Sequence, residues 1–194
     1  MKLLKYFLFF ILINNCKQKT QYQNQIKDDV IFLSSDSLEG RETGKKGEKI
    51  AAEYIKKRFV EFGLDPAGSS DYYQNFNFKN NTNPHEEKKF TTEEADSSIT
   101  ATNVIGYINN NAKNTIVIGA HYDHLGYGNE NSLHRSEKSK IHNGADDNAS
   151  GVSLMLDLAA KLKDNINNNY LFIAFSGEEL GLLGSNFFVK NHSR

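Results

Sequence analysis

The sequence predicts an α/β protein with a mainly parallel sheet. Two runs rich in β-branched and aromatic residues, Thr115 to Ala120 and Tyr170 to Phe175, read as strands. Between them Asn148 to Leu162 carries Val152, Met155, Leu156, Ala159 and Leu162 on one side of a helix. A second helical stretch, Leu180 to Lys190, follows the later strand. Strand, long loop, helix, strand, helix is the order that builds a parallel sheet with helical crossovers. The unbroken apolar character of Thr115 to Ala120 predicts a strand buried on both faces.

Composition narrows the classes. The chain has 194 residues and a formal net charge of −1, without the basic excess of a nucleic-acid surface. A mean hydropathy of −0.59 excludes a polytopic membrane protein. A single Cys excludes an internal disulfide framework and a Cys-based zinc cluster. The length suits one domain, and no internal repeat is present.

The N-terminus reads as an address. Lys2 and Lys5 precede an apolar run from Tyr6 to Ile13, too short to span a bilayer but suited to the core of a signal peptide. Cys16 follows closely, an arrangement that resembles a bacterial lipoprotein signal with Cys16 as the lipidated mature N-terminus. The alternatives are an ordinary signal with an incidental Cys, or a short anchor. Each puts the domain outside the cytoplasm, as a periplasmic or cell-surface protein. The expected organisation is a signal over residues 1–15, an N-terminal segment over 16–31 and one main domain over 32–194.

The remaining elements follow from period and punctuation. Ile26 to Leu38 predicts a short helix. Ile50, Ala51, Tyr54, Ile55, Phe59 and Phe62 form one apolar stripe of a helix that Gly63 stops. Tyr73 to Phe78 alternates like a strand, Lys79 to Ser98 is a loop, and Val104 to Ile108 is another strand. Gly126 to Ile141 is a long polar loop.

Three clusters carry chemistry. His121 and Asp123 follow the first buried strand, Asp146 and Asp147 precede a helix, and Glu178 and Glu179 follow the second buried strand. In open α/β sheets ligands bind beyond the carboxyl ends of the strands, where two of these clusters begin. Imidazole and carboxylates suit a zinc site with nitrogen and oxygen ligands. Asp123, two residues past His121, is placed to hold that ring's second nitrogen. Asp146 sits ahead of a helix N-terminus, which favours a carboxylate. Adjacent Glu side chains diverge, so one can ligate while the other serves as general base. His124 reads as a packing or substrate-facing residue. His85, His134, His142 and His192 read as loop or surface residues. Tyr72, Tyr73 and Phe76 read as packing.

The segments Gly119 to Gly126 (GAHYDHLG), His142 to Gly151 (HNGADDNASG) and Phe175 to Ser185 (FSGEELGLLGS) resemble the M28 zinc metallopeptidases. LEGRETGKKGEKIAAEYI, FGLDPAG and NVIGYI resemble the N-terminal part of bacterial members, so the likeness runs from about Phe32 onward. It implies a three-layer αβα sandwich with a mixed, mainly parallel sheet, C-terminally incomplete in this chain, and an aminopeptidase-type exopeptidase acting on peptides through two zinc ions. His121 would bind the first zinc, with Asp123 as its carboxylate partner. Asp146 would bridge both ions, with a cis peptide to Asp147. Glu178 would be the general base and Glu179 a ligand of the second zinc.

The family's further Asp and His ligands lie downstream of anything in this chain, so weak zinc binding is the expectation here. Two other readings stay open: a non-catalytic binding or structural module on the same scaffold, and a single-zinc acyltransferase of the glutaminyl-cyclase type. The oligomeric state is not readable.

Overall fold

The computed structural model describes residues 25–79, 88–92, 98–128, 132–134 and 139–191. The signal segment and parts of the two predicted loops lie outside these residues. Helix α1 covers residues 25–33 and runs into a 3-10 turn over Asp36–Arg41. Helix α2 spans Lys46–Phe62 and ends at Gly63, whose left-handed φ of 77° lets its N–H reach the carbonyls of Phe59 and Val60. Then come β1 (Asp65–Pro66), β2 (Tyr73–Lys79), β3 (Phe90–Thr91), β4 (Ser98–Ile108) and β5 (Thr115–His121). A turn over Ala145–Ser150 precedes α3 (Gly151–Leu162), followed by β6 (Asn169–Phe175) and α4 (Leu183–Asn191).

Among the described residues the six strands form one sheet in the order β3-β2-β4-β6-β5, with β1 on β4. The sheet is mixed, but the expectation of a mainly parallel one needs correction. β4 runs antiparallel to both β2 and β6, and only β5 and β6 are parallel. The reason is connectivity: α3 provides the single helical crossover in the sheet, and parallel neighbours need one.

Alternation along the strands builds three layers. Tyr170, Phe172 and Ala174 of β6 join Val104 and Ile108 of β4 in a core with Ile55 and Phe59 of α2 and Val152 and Leu156 of α3. The opposite face of β6, Leu171 and Ile173, meets Phe188 of α4 together with Ile105. Phe76, Phe78 and Ala101 close a smaller cluster around Leu183.

β5 departs from its predicted burial. It is an edge strand among the described residues, with Val117 56% and Ile116 42% exposed. α4 covers β6 and β4 but does not reach β5, so the apolar run that predicted burial on both faces is covered on one. Ile118 and Ala120 do pack on the α2–α3 core.

This asymmetry sets two expected stabilities. Phe172→Ala, at a site with 0% exposure, should cost about 3–5 kcal/mol in urea unfolding. Val117→Thr should stay within about 0.5 kcal/mol of the parent. Comparable losses for both would show that β5 is buried in solution.

Candidate active site

The parallel pair β5–β6 places two chain exits side by side. β5 ends at His121 and β6 at Phe175, and the Tyr122 N–H still bonds the Phe175 carbonyl at 3.0 Å. The His121 and Glu178–Glu179 clusters therefore leave the sheet from one edge, as the strand order predicts.

Asp123 joins them. It is fully buried, and its carboxylate accepts the Thr43 hydroxyl at 3.0 Å and the backbone N–H groups of Glu178 and Glu179 at 3.1 and 3.3 Å. Its Oδ1 lies 3.7 Å from His121 Nδ1, while its carbonyl lies at 3.3 Å from the same nitrogen. That occupies Nδ1 and leaves Nε2 facing the open edge.

Nε2 faces Asp147 and not Asp146. Asp147 Oδ1 is 3.0 Å from His121 Nε2. Asp146, the expected shared ligand, does not meet this nitrogen, and the cis peptide lies at Asp147–Asn148 instead of Asp146–Asp147. The physical reason is local backbone. Asp147 (φ −111°, ψ 96°) and Asn148 (φ −135°, ψ 41°) leave helical geometry, so α3 begins only at Gly151 and Asp147 swings toward the end of β5. Asp146 is exposed, and its carbonyl accepts the Ser150 hydroxyl.

His124, read from sequence as a packing or substrate-facing residue, also enters the cluster. Its Nδ1 is 2.5 Å from Glu179 Oε1. His124, Asp147 and Glu179 each offer a donor atom, and these atoms all lie within 4.8 Å of one another. Glu178 diverges from Glu179, as neighbouring side chains do. It lines a cavity of about 240 Å³ with His121, Asn148, Phe175, Ser176 and Leu182.

Crowded carboxylates shape the proton affinities. Burial, then the charges of Asp147, Asp123 and Glu178, raise the Glu179 carboxyl to about 7. Burial disfavours the His121 cation, but the hydrogen bond and charge of Asp123, with Glu178 and Asp147, outweigh it and raise the ring to about 9. Burial lowers His124, and Arg41, His142 and His121 push in the same direction against Asp147.

The segment Arg41 to Glu48 supports the cluster from below, which the sequence reading did not anticipate. Arg41, Thr43 and Glu48 are all buried, and each has a partner 80 or more residues away. Glu48 accepts the Gly44 N–H at 2.5 Å and the Ser176 hydroxyl, and Asn103 Oδ1 accepts the Ser176 N–H at 3.1 Å. The sequence marked this stretch by its likeness to bacterial family members and by its glycines: Gly40 has φ +69°, and a Cβ there would meet the Gly126 carbonyl at 2.5 Å.

Comparison with known proteins adds relatives to this geometry. Residues 103–194 match the model of peptidase family M28. The alkaline phosphatase isozyme conversion protein of Escherichia coli is 30% identical over 155 residues, 79% of this chain and 42% of that protein. Aminopeptidase YwaD of Bacillus subtilis is 51% identical over 51 residues, 26% of this chain and 11% of that one. Among solved structures, Fimbriiglobus ruber glutaminyl cyclase shares the fold with a TM-score of 0.63 at 20% identity, over 86% of this chain and 54% of its own. The zinc aminopeptidase BSAP of Bacillus subtilis gives 0.60 at 17% identity, over 88% and 65%. The chain thus spans less than two thirds of these relatives' lengths.

The buried carboxyl of Glu48 yields a pH prediction. Burial pushes it up to about 8, against the opposing hydrogen bonds from Ser176 and Gly44. Between its ordinary value of 4.5 and about 8 the folded chain keeps a proton that the unfolded chain releases. Stability from this group is complete below pH 4.5 and is lost as pH rises toward 8. Glu48→Gln should flatten the decline of the urea midpoint over that range; an unchanged slope would show that Glu48 does not hold the proton.

Proposed function

We infer that this chain is a zinc-dependent exopeptidase of the aminopeptidase type in peptidase family M28, acting on peptides. The observation that carries it is the meeting of His121, His124, Asp147 and Glu179 beside Glu178 at one sheet edge. Ligand atoms on a tetrahedral zinc sit about 3.4 Å apart, so donors already within 4.8 Å need little side-chain movement. The nitrogen and oxygen donor set suits zinc. Asp147 stands between His121 and the His124–Glu179 pair, the place a carboxylate shared by two ions would take. His124 supplies a nitrogen donor beyond the ligand set the sequence implied.

Zinc held there supplies polarisation of a substrate carbonyl and a water that is acidic at neutral pH. The chain's own groups do the rest. Asp123 holds His121 with Nε2 outward and, through two backbone N–H groups, fixes where Glu178 and Glu179 start. The Glu178 carboxylate lines the cavity beside His121, where it takes the proton of the attacking water and returns it to the departing amine. The His124–Glu179 contact holds the Glu179 carboxylate ready in the absence of an ion.

The N-terminal pattern of Lys2, Lys5, the apolar run to Ile13 and Cys16 supports an exported protein held at the membrane by a lipid on Cys16.

Glu178→Gln should keep zinc, measured by elemental analysis, while turnover of an aminoacyl nitroanilide falls about 10²–10⁴-fold. Unchanged turnover would remove Glu178 as the base. A zinc-loaded parent chain without any turnover would favour the non-catalytic module. Asp147→Asn should weaken zinc at least about 10-fold in competition with a chromogenic chelator, while Asp146→Asn stays close to the parent. The reverse ranking would return the ligand role to Asp146.

A further inference from the structure

We infer that Arg41 is a positioning residue that fixes the loop carrying Asp147 against the strand end carrying His121. The inference rests on the metal-site reading above and assigns a role to the segment LEGRETG.

Arg41 is 1% exposed, and its guanidinium is spent on main-chain carbonyls from three distant parts of the chain. Nε donates to the Tyr122 carbonyl at 2.7 Å. Nη1 donates to the Asn143 carbonyl at 2.7 Å and to the Leu33 carbonyl. Nη2 donates to the Gly144 carbonyl at 2.9 Å. Tyr122 follows His121 directly, and Asn143 and Gly144 lead into the turn that presents Asp147. One planar side chain therefore sets the distance between the two halves of the site.

The backbone of Arg41 adds a second tie. Its carbonyl accepts the His124 N–H at 3.1 Å, and the preceding Gly40 carbonyl accepts the Gly126 N–H at 3.0 Å. Arg41 itself sits at φ +50° and Glu39 at +49°, left-handed conformations that cost a non-glycine residue of order 1–3 kcal/mol. Such a conformation persists where the surroundings over-determine it, and here the fork of hydrogen bonds does so. Fit is close on the loop side as well: a Cβ on Gly144 would lie 2.7 Å from Arg41 Nη2 and 2.7 Å from the His124 ring.

Only a guanidinium does this work. It offers five N–H groups in a rigid plane, whereas an ammonium offers three on one atom and does not reach carbonyls on opposite sides. The charge is retained at neutral pH, since burial lowers this group only to about 10. It also lies among Asp123, Asp147 and Glu179, whose mutual repulsion it reduces in the ion-free chain.

The test compares the parent chain with Arg41→Lys by amide hydrogen exchange without metal and by zinc titration against a chelator. Arg41→Lys is expected to speed exchange at residues 143–150 at least about 10-fold while α2, β4 and β6 keep parental protection. Zinc affinity should fall about 10–100-fold, as when an outer partner of a ligand is lost. Arg41→Ala, with millimolar guanidinium added, should recover part of both. Exchange and zinc affinity within twofold of the parent would overturn the assignment. So would a uniform loss of protection in both variants that guanidinium does not reverse, which would make Arg41 a residue of the whole fold. A parent chain that binds no zinc would end the metal reading, while the exchange comparison still judges Arg41.

Discussion

The carboxylate of Asp123 is sealed from water, and that burial organises the rest of the site. An ionised group without solvent must be met by hydrogen bonds, because leaving it unpaired costs several kcal/mol. Thr43 and two successive backbone N–H groups at Glu178 and Glu179 meet it. These partners come from two distant parts of the chain, so satisfying one charge determines how the turn before α2, the exit of β5 and the exit of β6 lie together. The two glutamates then diverge from a common base, one toward the cavity and one toward His124.

Around this anchor the site concentrates like charges. Asp123, Asp147, Glu178 and Glu179 share a small region with His121, and the result is a histidine that holds its proton and a Glu179 carboxyl that resists losing its own. Part of this repulsion is offset from beneath by the buried guanidinium of Arg41. Protonation of His121 and Glu179 relieves part of the remainder, and a bound cation would do the same. Ion binding here must release protons, because ligand atoms coordinate in their deprotonated forms.

Much of the fold was legible in the chain. Helix α2 ends where Gly63 stands, because the left-handed stop after an amphipathic stripe is a local matter. β2, β5 and β6 fall where alternation or apolar runs place them, whereas β4 starts at Ser98, six residues before the expected Val104, and β3 lies inside the expected loop. The direction of β4 was not legible, since period 2 is the same in parallel and antiparallel strands. The exposure of β5 was not legible either. An apolar run reports what a strand tolerates on both faces, not which neighbours cover it. In the site, His121, Asp123, Glu178 and Glu179 sit at the exits that the strand pattern indicates. That Asp147 and not Asp146 lies beside His121 follows from a departure from helical backbone that one ADDN string does not encode.

The sequence by itself determined where the histidine and acidic clusters fall and in what order, because strand ends, glycine stops and acidic pairs are local patterns. Tertiary structure decided who serves them. Arg41, Thr43 and Glu48 stand in a stretch whose sequence shows a family likeness but no role for any of the three. Their roles arise only when the sheet brings Tyr122, Asp123, Asn143 and Ser176 above them. His124 likewise becomes a partner of Glu179 across 55 residues of chain. The physical reason is common to all four. A buried polar or charged group is tolerated only with partners, and here partners come from segments that folding, not sequence proximity, makes adjacent.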